Sequence, residues 1–212
     1  VVVWQRTDDA ESEAGNDPDI VAVTTTNLGG AWTAPVFVNA EATDSEMDES
    51  DETPVIAHAD DTWVVGWILD DSEAVAVARS TDDGATWQDE TLLSAGAPLS
   101  DPAGVDLVAT SEGWFAVWSA VTAARGLGGD PDIFYARGDA AGTMWDPPAA
   151  LNSNAATDSG SDRRPSVAVG HDGALLVAWQ TNDALHSYGT DNDVVYSTSN
   201  DGGATWQTPL LV

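Results

Sequence analysis

The sequence predicts an all-β protein built from four repeats. Its apolar segments are five to eight residues long, rich in Val, Ile, Ala and aromatic residues, and bounded by Gly, Asp, Asn or Pro. Such segments are typical of strands, and none of them shows a sustained helical period. Tryptophans spaced 55, 58 and 61 residues apart mark the repeat: Trp32, Trp87, Trp145 and Trp206. Repetition at this interval indicates an array of similar small sheets.

The charge of the chain is strongly negative. It has 36 acidic residues, six arginines, no lysine and a net charge of −30. A disordered acidic tail would contain few aromatics, whereas this chain has ten tryptophans, and its acids lie between the apolar segments. We therefore expect a folded protein with an acidic, halophilic-like surface. Such a charge repels nucleic acid and anionic membranes, so both are poor partners and we expect no nucleic acid to bind.

The sequence also limits the redox chemistry and membrane topology that we expect. The chain contains no cysteine, so disulfides and thiol chemistry are excluded. No apolar run approaches the roughly 18 residues that a membrane helix needs, so we expect no membrane insertion. The chain begins at Val1 without an initiator methionine or a signal peptide. We expect it to be a processed form or an excerpt of a longer protein.

An eight-residue motif, S-x-D-x-G-x-T-W, precedes the last apolar segment of two repeats. Its residues are Ser80, Asp82, Gly84, Thr86 and Trp87 in one copy, and Ser199, Asp201, Gly203, Thr205 and Trp206 in the other. The carboxylate is suited to accept backbone N–H groups in a tight turn, and the glycine to adopt positive φ. We expect the Thr hydroxyl to close the turn and the Trp to pack between sheets. Because the motif recurs while an active site needs one set of residues, we assign it a structural role.

Each repeat is predicted to form one antiparallel sheet of four strands. The second repeat gives Pro54–Ala59, Trp63–Leu69, Ala74–Ser80 and Trp87–Leu93. The innermost strand of the fourth repeat is expected at Ser166–Gly170, and the outer strands of the third and fourth repeats at Trp145–Leu151 and Trp206–Val212. Degenerate motifs end at Trp32 and Trp145. The repeats cover residues 1–38, 39–94, 95–151 and 152–212. This is the unit of a β-propeller, with three full blades and a first blade that lacks its innermost strand.

The motif resembles the Asp-box, or bacterial neuraminidase repeat, of the sialidase-like propellers, and the resemblance covers essentially the whole chain. It implies a secreted or cell-surface protein. Sialidases of this kind have six blades, whereas the chain supplies fifteen strands. Three completions remain open: the remainder of a longer chain, a homo-oligomeric ring, or a small four-bladed ring with a defect.

Pairs of acidic residues open the third strand of each repeat. They are Asp17 and Asp19, Asp71 and Glu73, Asp130 and Asp132, and Asp191 and Asp193. We expect them to cap the strand through hydrogen bonds to neighbouring segments, with no cofactor bound. The alternative is that the pairs ligate Ca²⁺, which prefers carboxylate and carbonyl oxygens.

Candidate catalytic residues lie in the loops between strands two and three and between blades, which share one face. They are Arg6, Arg125, Arg163, Arg164 and Tyr188. In sialidases three arginines hold the substrate carboxylate and a Tyr, paired with a Glu, is the nucleophile, so the resemblance implies these roles for them. The stretch from Arg163 to Ser166 resembles the R-I-P strand of that family but departs from it at Asp162 and Arg164. Because loop acids outnumber the arginines, we expect the arginines to be dispersed and Arg163 or Arg164 to be paired with a carboxylate.

Together these features predict a binding or scaffold module whose partner is a glycan or another extracellular polymer. Two alternatives remain: an exo-glycosidase of the sialidase type, and a structural subunit of a surface assembly.

Overall fold

The structure, a computed structural model, describes residues 1–7, 17–27, 29–39, 49–94, 99–122, 127, 129–157, 159–183 and 191–212. Within these residues the regular elements are fifteen β-strands. The described part of the chain contains no helix of the length and hydrophobicity needed to cross a bilayer. The long loops between strands two and three, with Arg125 and Tyr188, lie mainly outside the described residues.

The strands form four antiparallel sheets, each paired in chain order. The first two blades contain β1 (Val2–Thr7), β2 (Pro18–Val23) and β3 (Val36–Phe37), then β4 (Asp51–Ala59), β5 (Thr62–Leu69), β6 (Ala74–Ser80) and β7 (Thr91–Leu92). The last two contain β8 (Ser100–Thr110), β9 (Gly113–Val121), β10 (Asp132–Gly138) and β11 (Ala149–Ala150), then β12 (Asp162–Val169), β13 (Leu175–Thr181), β14 (Asp193–Ser199) and β15 (Leu210–Leu211). The predicted strand order is confirmed, and within the described residues the first sheet has three strands, as predicted for a blade without its innermost strand.

The outer strands are shorter than predicted, and the box tryptophans do not belong to them. We expected strands to begin at Trp87, Trp145 and Trp206, but β7, β11 and β15 contain two residues each. After each box a single backbone bond continues the pairing, as from the Gln207 amide to the Thr198 carbonyl (3.0 Å). Prolines then follow in three blades, at positions 35, 147–148 and 209, and cannot donate to a ladder.

The inner strands begin earlier than predicted, because pairing continues across a bulge. We expected the second and fourth blades to begin these strands at Pro54 and Ser166, whereas β4 and β12 begin at Asp51 and Asp162. The register shifts between Glu52 and Val55 and between Arg163 and Ser166. In the third blade the register of β8 also shifts between Ser100 and Ala103. In all three bulges the residue before the proline has positive φ: 52° at Thr53, 52° at Asp101 and 55° at Arg164. A bulge re-aims the strand without ending it.

The chain divides into two compact units, Val1–Leu92 and Leu93–Val212. Each unit contains two blades that share a core between their sheets. In the first unit Ile20 and Ala22 of β2 pack with Val65, Trp67 and Leu69 of β5. The two faces of a strand alternate, so these three β5 side chains form one side of the sheet.

In the second unit the shared core lies between blades three and four. Phe115 and Val117 of β9 pack with Leu175, Val177 and Trp179 of β13. The inner strands of this pair are joined by the Asp106 carboxylate, which accepts hydrogen bonds from the Ser166 hydroxyl and the Val167 amide, both at 2.9 Å. Packing and a polar link therefore fix the two blades of this unit against each other.

Candidate functional site

The two complete boxes form the turns that the motif predicts. The Asp82 carboxylate accepts the Thr86 amide (2.9 Å) and hydroxyl (2.7 Å), and the Ser80 hydroxyl donates to it (2.7 Å). The Asp201 box repeats this pattern. Hydrogen bonds from the Thr hydroxyl and amide lower the pKa of both carboxyls to about 2. These aspartates are thus fully occupied in holding their own turns.

The degenerate boxes keep the turn with different residues. In blade one Thr25 and Asn27 replace the Ser and Asp, and the Asn27 side-chain oxygen accepts the Ala31 amide (2.8 Å). In blade three the carboxylate is Asp139, one position earlier than in the complete boxes, and it accepts the Thr143 amide (2.7 Å) and hydroxyl (3.0 Å). The box of blade three is therefore a rearranged copy.

The box tryptophans Trp87 and Trp206 pack against the cores that adjacent blades share. The Trp206 ring lies 5.5 Å from Phe115 and 5.9 Å from Tyr135, both in blade three. Trp87 packs at the edge of the core that blades one and two share. Both side chains are more than half buried, which confirms the expected packing between sheets. Trp32, with no preceding blade among the described residues, is 47% exposed.

The acidic residues at the start of strand three are buried in two blades. The Asp19 carboxylate accepts the Asn39 amide (2.9 Å), and the Asp132 carboxylate accepts the Asn152 amide (2.7 Å). The side-chain oxygen of each Asn accepts a hydrogen bond from the backbone amide that follows the aspartate. Asn39 accepts the Ile20 amide and Asn152 accepts the Ile133 amide, both at 3.1 Å. Strand capping is therefore observed at these two aspartates. In blade two the equivalent Glu73 is exposed and has positive φ.

A second buried carboxylate stands at the start of the inner strand of the next blade. The Trp67 indole donates to Asp51 (2.6 Å), and the Trp179 indole donates to Asp162 (3.0 Å). Asn152 connects the two acids of the second unit, because its amide donates to Asp162 (2.8 Å) as well as to Asp132. Burial raises the pKa of Asp51 to about 8, of Asp162 to about 7 and of Asp132 to about 6. Sequence reasoning missed Asp51 and Asp162 as buried polar groups.

The described acidic pairs do not belong to any cluster of three potential metal-binding side chains. Among the described residues no three His, Cys, Asp or Glu side chains converge in a metal-binding group. This holds for the predicted candidates Asp17, Asp19, Asp130, Asp132, Asp191 and Asp193. Buried hydrogen bonds to Asn39 and Asn152 account for one oxygen of Asp19 and one of Asp132.

The candidate arginines that are described are not a free carboxylate clamp. The Arg163 guanidinium donates to Asp101 at 2.9 Å, which confirms the predicted pairing with a carboxylate. Arg6 lies on β1 opposite Asp19 in the register and is exposed, and Arg164 occupies the strained bulge. Arg125 and Tyr188 are outside the described residues, so the predicted Tyr nucleophile has no described position.

A recess opens on the box face of blade three. It has a volume of about 460 Å³ and includes Glu112, Trp114, Arg137, Met144, Trp145 and Asp146 in its lining. We call it the Trp145 recess. The turn between β8 and β9 forms one wall, the rearranged box forms another, and Gly202 of the blade-four box also lines it. The recess thus lies at the turns, not in the loops where the site was expected.

The altered box explains why the recess forms in this blade. Gly138 pairs with Trp114 as Ser80 pairs with Trp63, so a glycine replaces the box serine. A Cβ at position 138 would lie 2.9 Å from the Trp145 ring, so only glycine lets the indole approach the strand this closely. Met144 replaces the box threonine next to the tryptophan and is 70% exposed.

Charged groups of the recess differ in how they are occupied. Arg137 donates to Asp146 through Nη2 (2.7 Å) and Nε (3.0 Å), and Asp139 is held by its own turn. Glu112 is exposed, and its carboxylate has no hydrogen-bond partner among the described residues. The recess therefore offers partly exposed indole, one free carboxylate and one ion pair.

The box geometry agrees with the family comparison. The model of the BNR repeat-like domain matches residues 1–212. The chain belongs to the BNR repeat-like domain family. No curated protein sequence matches this BNR repeat-like chain significantly.

Solved structures similar to this BNR repeat-like chain include glycosidases. The microbial sialidase Hz136 aligns with a TM-score of 0.58 and 16% identity over 77% of this chain and 38% of its own. A Dyadobacter fermentans protein of unknown function has a TM-score of 0.62 and 16% identity over 99% of this chain and 64% of its own. The α-L-arabinanase of Penicillium chrysogenum, complexed with arabinobiose, has a TM-score of 0.59 and 16% identity, covering 92% and 59%. The chain thus spans less than two thirds of each, and the likeness shows the propeller fold.

The Trp145 recess was missed because the box was treated as a repeated structural motif. A sequence signal was nevertheless available: the third copy is the one with Gly138 and Met144 at the Ser and Thr positions, and Arg137 stands beside it. On a BNR repeat-like scaffold, a break in the repeat is where a unique site can form.

Proposed function

We propose that this BNR repeat-like chain is a carbohydrate-binding propeller module of a secreted or cell-surface protein. The observation that carries the proposal is the Trp145 recess, where an indole lies beside Glu112 and the Arg137–Asp146 pair. Ligand pockets combine apolar or aromatic walls with a few convergent polar groups.

The chemistry of the recess suits a sugar ring. The apolar C–H face of a pyranose or furanose packs on an indole, while its hydroxyls lie at the ring edge. The free Glu112 carboxylate would accept a sugar hydroxyl, and the unpaired N–H groups of Arg137 would donate to another. A recess of about 460 Å³ has room for one or two sugar rings.

The comparisons support a glycan-related role. One similar structure is a sialidase and another is an arabinanase with bound arabinobiose, so the shared fold serves carbohydrate-active proteins. Because fold does not imply function, the recess carries the proposal and the comparisons add support.

Binding is favoured over hydrolysis by the state of the acids. Glycoside hydrolysis in most families needs two carboxyls that flank the scissile bond, one of them free to exchange a proton. In the recess Asp139 is held by its turn and Asp146 by Arg137, which leaves Glu112. A sialidase-type site needs arginines directed at the substrate, and Arg163 is bound to Asp101.

Affinity electrophoresis and a hydrolysis assay would test this function together. The purified protein is run in native gels containing soluble arabinan, galactan, xylan or β-glucan, and is incubated in parallel with a fluorogenic sialoside. We expect retardation by at least one polysaccharide and no sialoside turnover. Absence of retardation by every polysaccharide would reject the binding function. Turnover that Arg163→Ala abolishes would establish the sialidase-type alternative.

A further inference from the structure

We infer that the Trp145 recess is selective for sugars without an acid group and excludes uronic, sialic and sulfated sugars. The inference rests on the proposed carbohydrate binding and names its substrate class. It differs from what the sialidase-like fold alone would suggest, because sialic acid carries a carboxylate.

The lining of the recess carries more negative than positive charge. Its lining contains three carboxylates, those of Glu112, Asp139 and Asp146, and one guanidinium, that of Arg137. An anionic ligand would therefore enter a negative potential, on a chain whose net charge is −30. A neutral sugar meets no such barrier and can donate its hydroxyls to the carboxylates.

The Arg137 guanidinium, the one cation among the described lining residues, already binds Asp146. Arg137 places both Nη2 and Nε against the same oxygen of Asp146, at 2.7 and 3.0 Å. A ligand carboxylate that competed for Arg137 would leave Asp146 without its cation. The ligand carboxylate would then lie beside the negatively charged Asp146. Like charges at such distances disfavour binding.

Glu112 places a negative charge at the edge of the recess. Its side chain lies directly over the blade-four turn, since a Cβ at Gly202 would be 2.5 Å from Glu112 Oε2. The glycine thus leaves the space that the carboxylate occupies at the edge of the recess. Because Glu112 has no described partner, its charge is available to repel an anionic ligand.

Charge reversal at Glu112 provides a matched test. Asp61 occupies the equivalent position of the blade-two turn, because Ala59 pairs with Thr62 as Thr110 pairs with Gly113, and it is exposed and outside the recess. Glu112→Lys and Asp61→Lys therefore make similar charge changes at equivalent turns. Both are run with the native protein in gels containing hydroxyethylcellulose or carboxymethylcellulose, and galactan or polygalacturonate, at low and at molar NaCl.

We expect the native protein and Asp61→Lys to be retarded at least tenfold more by a neutral polymer than by its acidic counterpart. Glu112→Lys should reduce that ratio at least threefold, and molar NaCl should reduce it in the native protein because salt screens the repulsion. Equal or stronger retardation of the native protein by the acidic polymers would overturn the selectivity while leaving carbohydrate binding intact. An equal effect of Asp61→Lys would remove Glu112 as its cause. Retardation by no polymer would reject the proposed function itself.

Discussion

The Trp179 indole donates its N–H to the Asp162 carboxylate at 3.0 Å, and both residues are buried. The same relationship joins Trp67 to Asp51 in the first unit, at 2.6 Å. In blade three the equivalent tryptophan, Trp118, has an indole N–H with no described partner. The polar anchor is thus a repeated but not universal feature of the blades.

Loss of the Asp162 anchor should destabilise the second unit. Asp162→Ala leaves the Trp179 indole N–H and one of the two N–H groups of the Asn152 amide without their acceptor, while the other Asn152 N–H keeps its bond to Asp132. Each unmet buried donor costs about 1–3 kcal/mol. We expect the free energy of unfolding, measured with urea, to fall by about 2–4 kcal/mol. Asp89→Ala, at an exposed position, is the control and should change it by less than about 0.5 kcal/mol. Equal effects of the two variants would contradict the anchoring role.

The buried acids should make stability fall as the pH rises. Folding raises the pKa of Asp51 to about 8, of Asp162 to about 7 and of Asp132 to about 6, from 3.8. The folded state therefore binds more protons than the unfolded state between about pH 4 and pH 8, and stability declines through that window. Asp82 and Asp201 act in the opposite sense, because their pKa is lowered to about 2, so their contribution is lost as the pH falls below about 4.

Melting temperatures at constant ionic strength would check this dependence. We expect a maximum near pH 4–5 and a decline towards pH 8 that is smaller in Asp162→Asn. A melting temperature that rises steadily up to pH 8 would be inconsistent with these pKa shifts.

The box tryptophans should differ in energetic importance according to what they cover. Trp206 packs on Phe115 and Tyr135, whereas Trp32 is 47% exposed. Because Trp206 is only partly buried, we expect Trp206→Ala to cost about 3 kcal/mol, the lower end for a large aromatic. Trp32→Ala should cost less than about 1 kcal/mol. Urea unfolding measures both, and a larger loss for Trp32→Ala would refute the assignment of Trp206 to the space between blades.

Salt should stabilise the protein, because 36 acids without lysine repel one another. We expect the melting temperature to rise between about 0.05 M and about 2 M KCl at pH 7. The rise should be smaller at pH 4, where many carboxylates are protonated. A flat or falling curve at pH 7 would reject the salt-adapted interpretation and leave the propeller fold unaffected.

The fold could be predicted from the sequence because its signals are local and repeated. The motif from Ser80 to Trp87 defines one turn, and alternating apolar segments define the strands around it. The starts of the inner strands could not be predicted, because Asp51 and Asp162 are polar residues whose burial depends on a distant tryptophan. The extension of β4 and β12 across a bulge likewise has no apolar sequence pattern that would predict it.

The candidate site was harder to predict because it depends on contacts between turns. The sequence predicted that Arg163 or Arg164 pairs with a carboxylate, and Arg163 does so. The partner, Asp101, could not be predicted because it lies 62 residues away in the sequence. The Trp145 recess joins Glu112, Trp145 and Gly202 from three turns. The altered third box is the sequence feature that marks the recess, whereas the arginines of the long loops favoured a site on the other face.

Calorimetric titration of two tryptophan variants tests most directly whether the Trp145 recess binds carbohydrate. An oligosaccharide of the polysaccharide that retards the protein is titrated into the native chain, Trp145→Ala and Trp32→Ala, each shown to be folded by its melting curve. Met144→Arg alters the lining at a side chain that is 70% exposed, so it tests the recess even if Trp145→Ala fails to fold. We predict one site per native chain, affinity retained in Trp32→Ala, and at least a tenfold loss in Trp145→Ala and Met144→Arg. Unchanged affinity in Trp145→Ala and Met144→Arg, or a loss of affinity confined to Trp32→Ala, would contradict carbohydrate binding at the Trp145 recess.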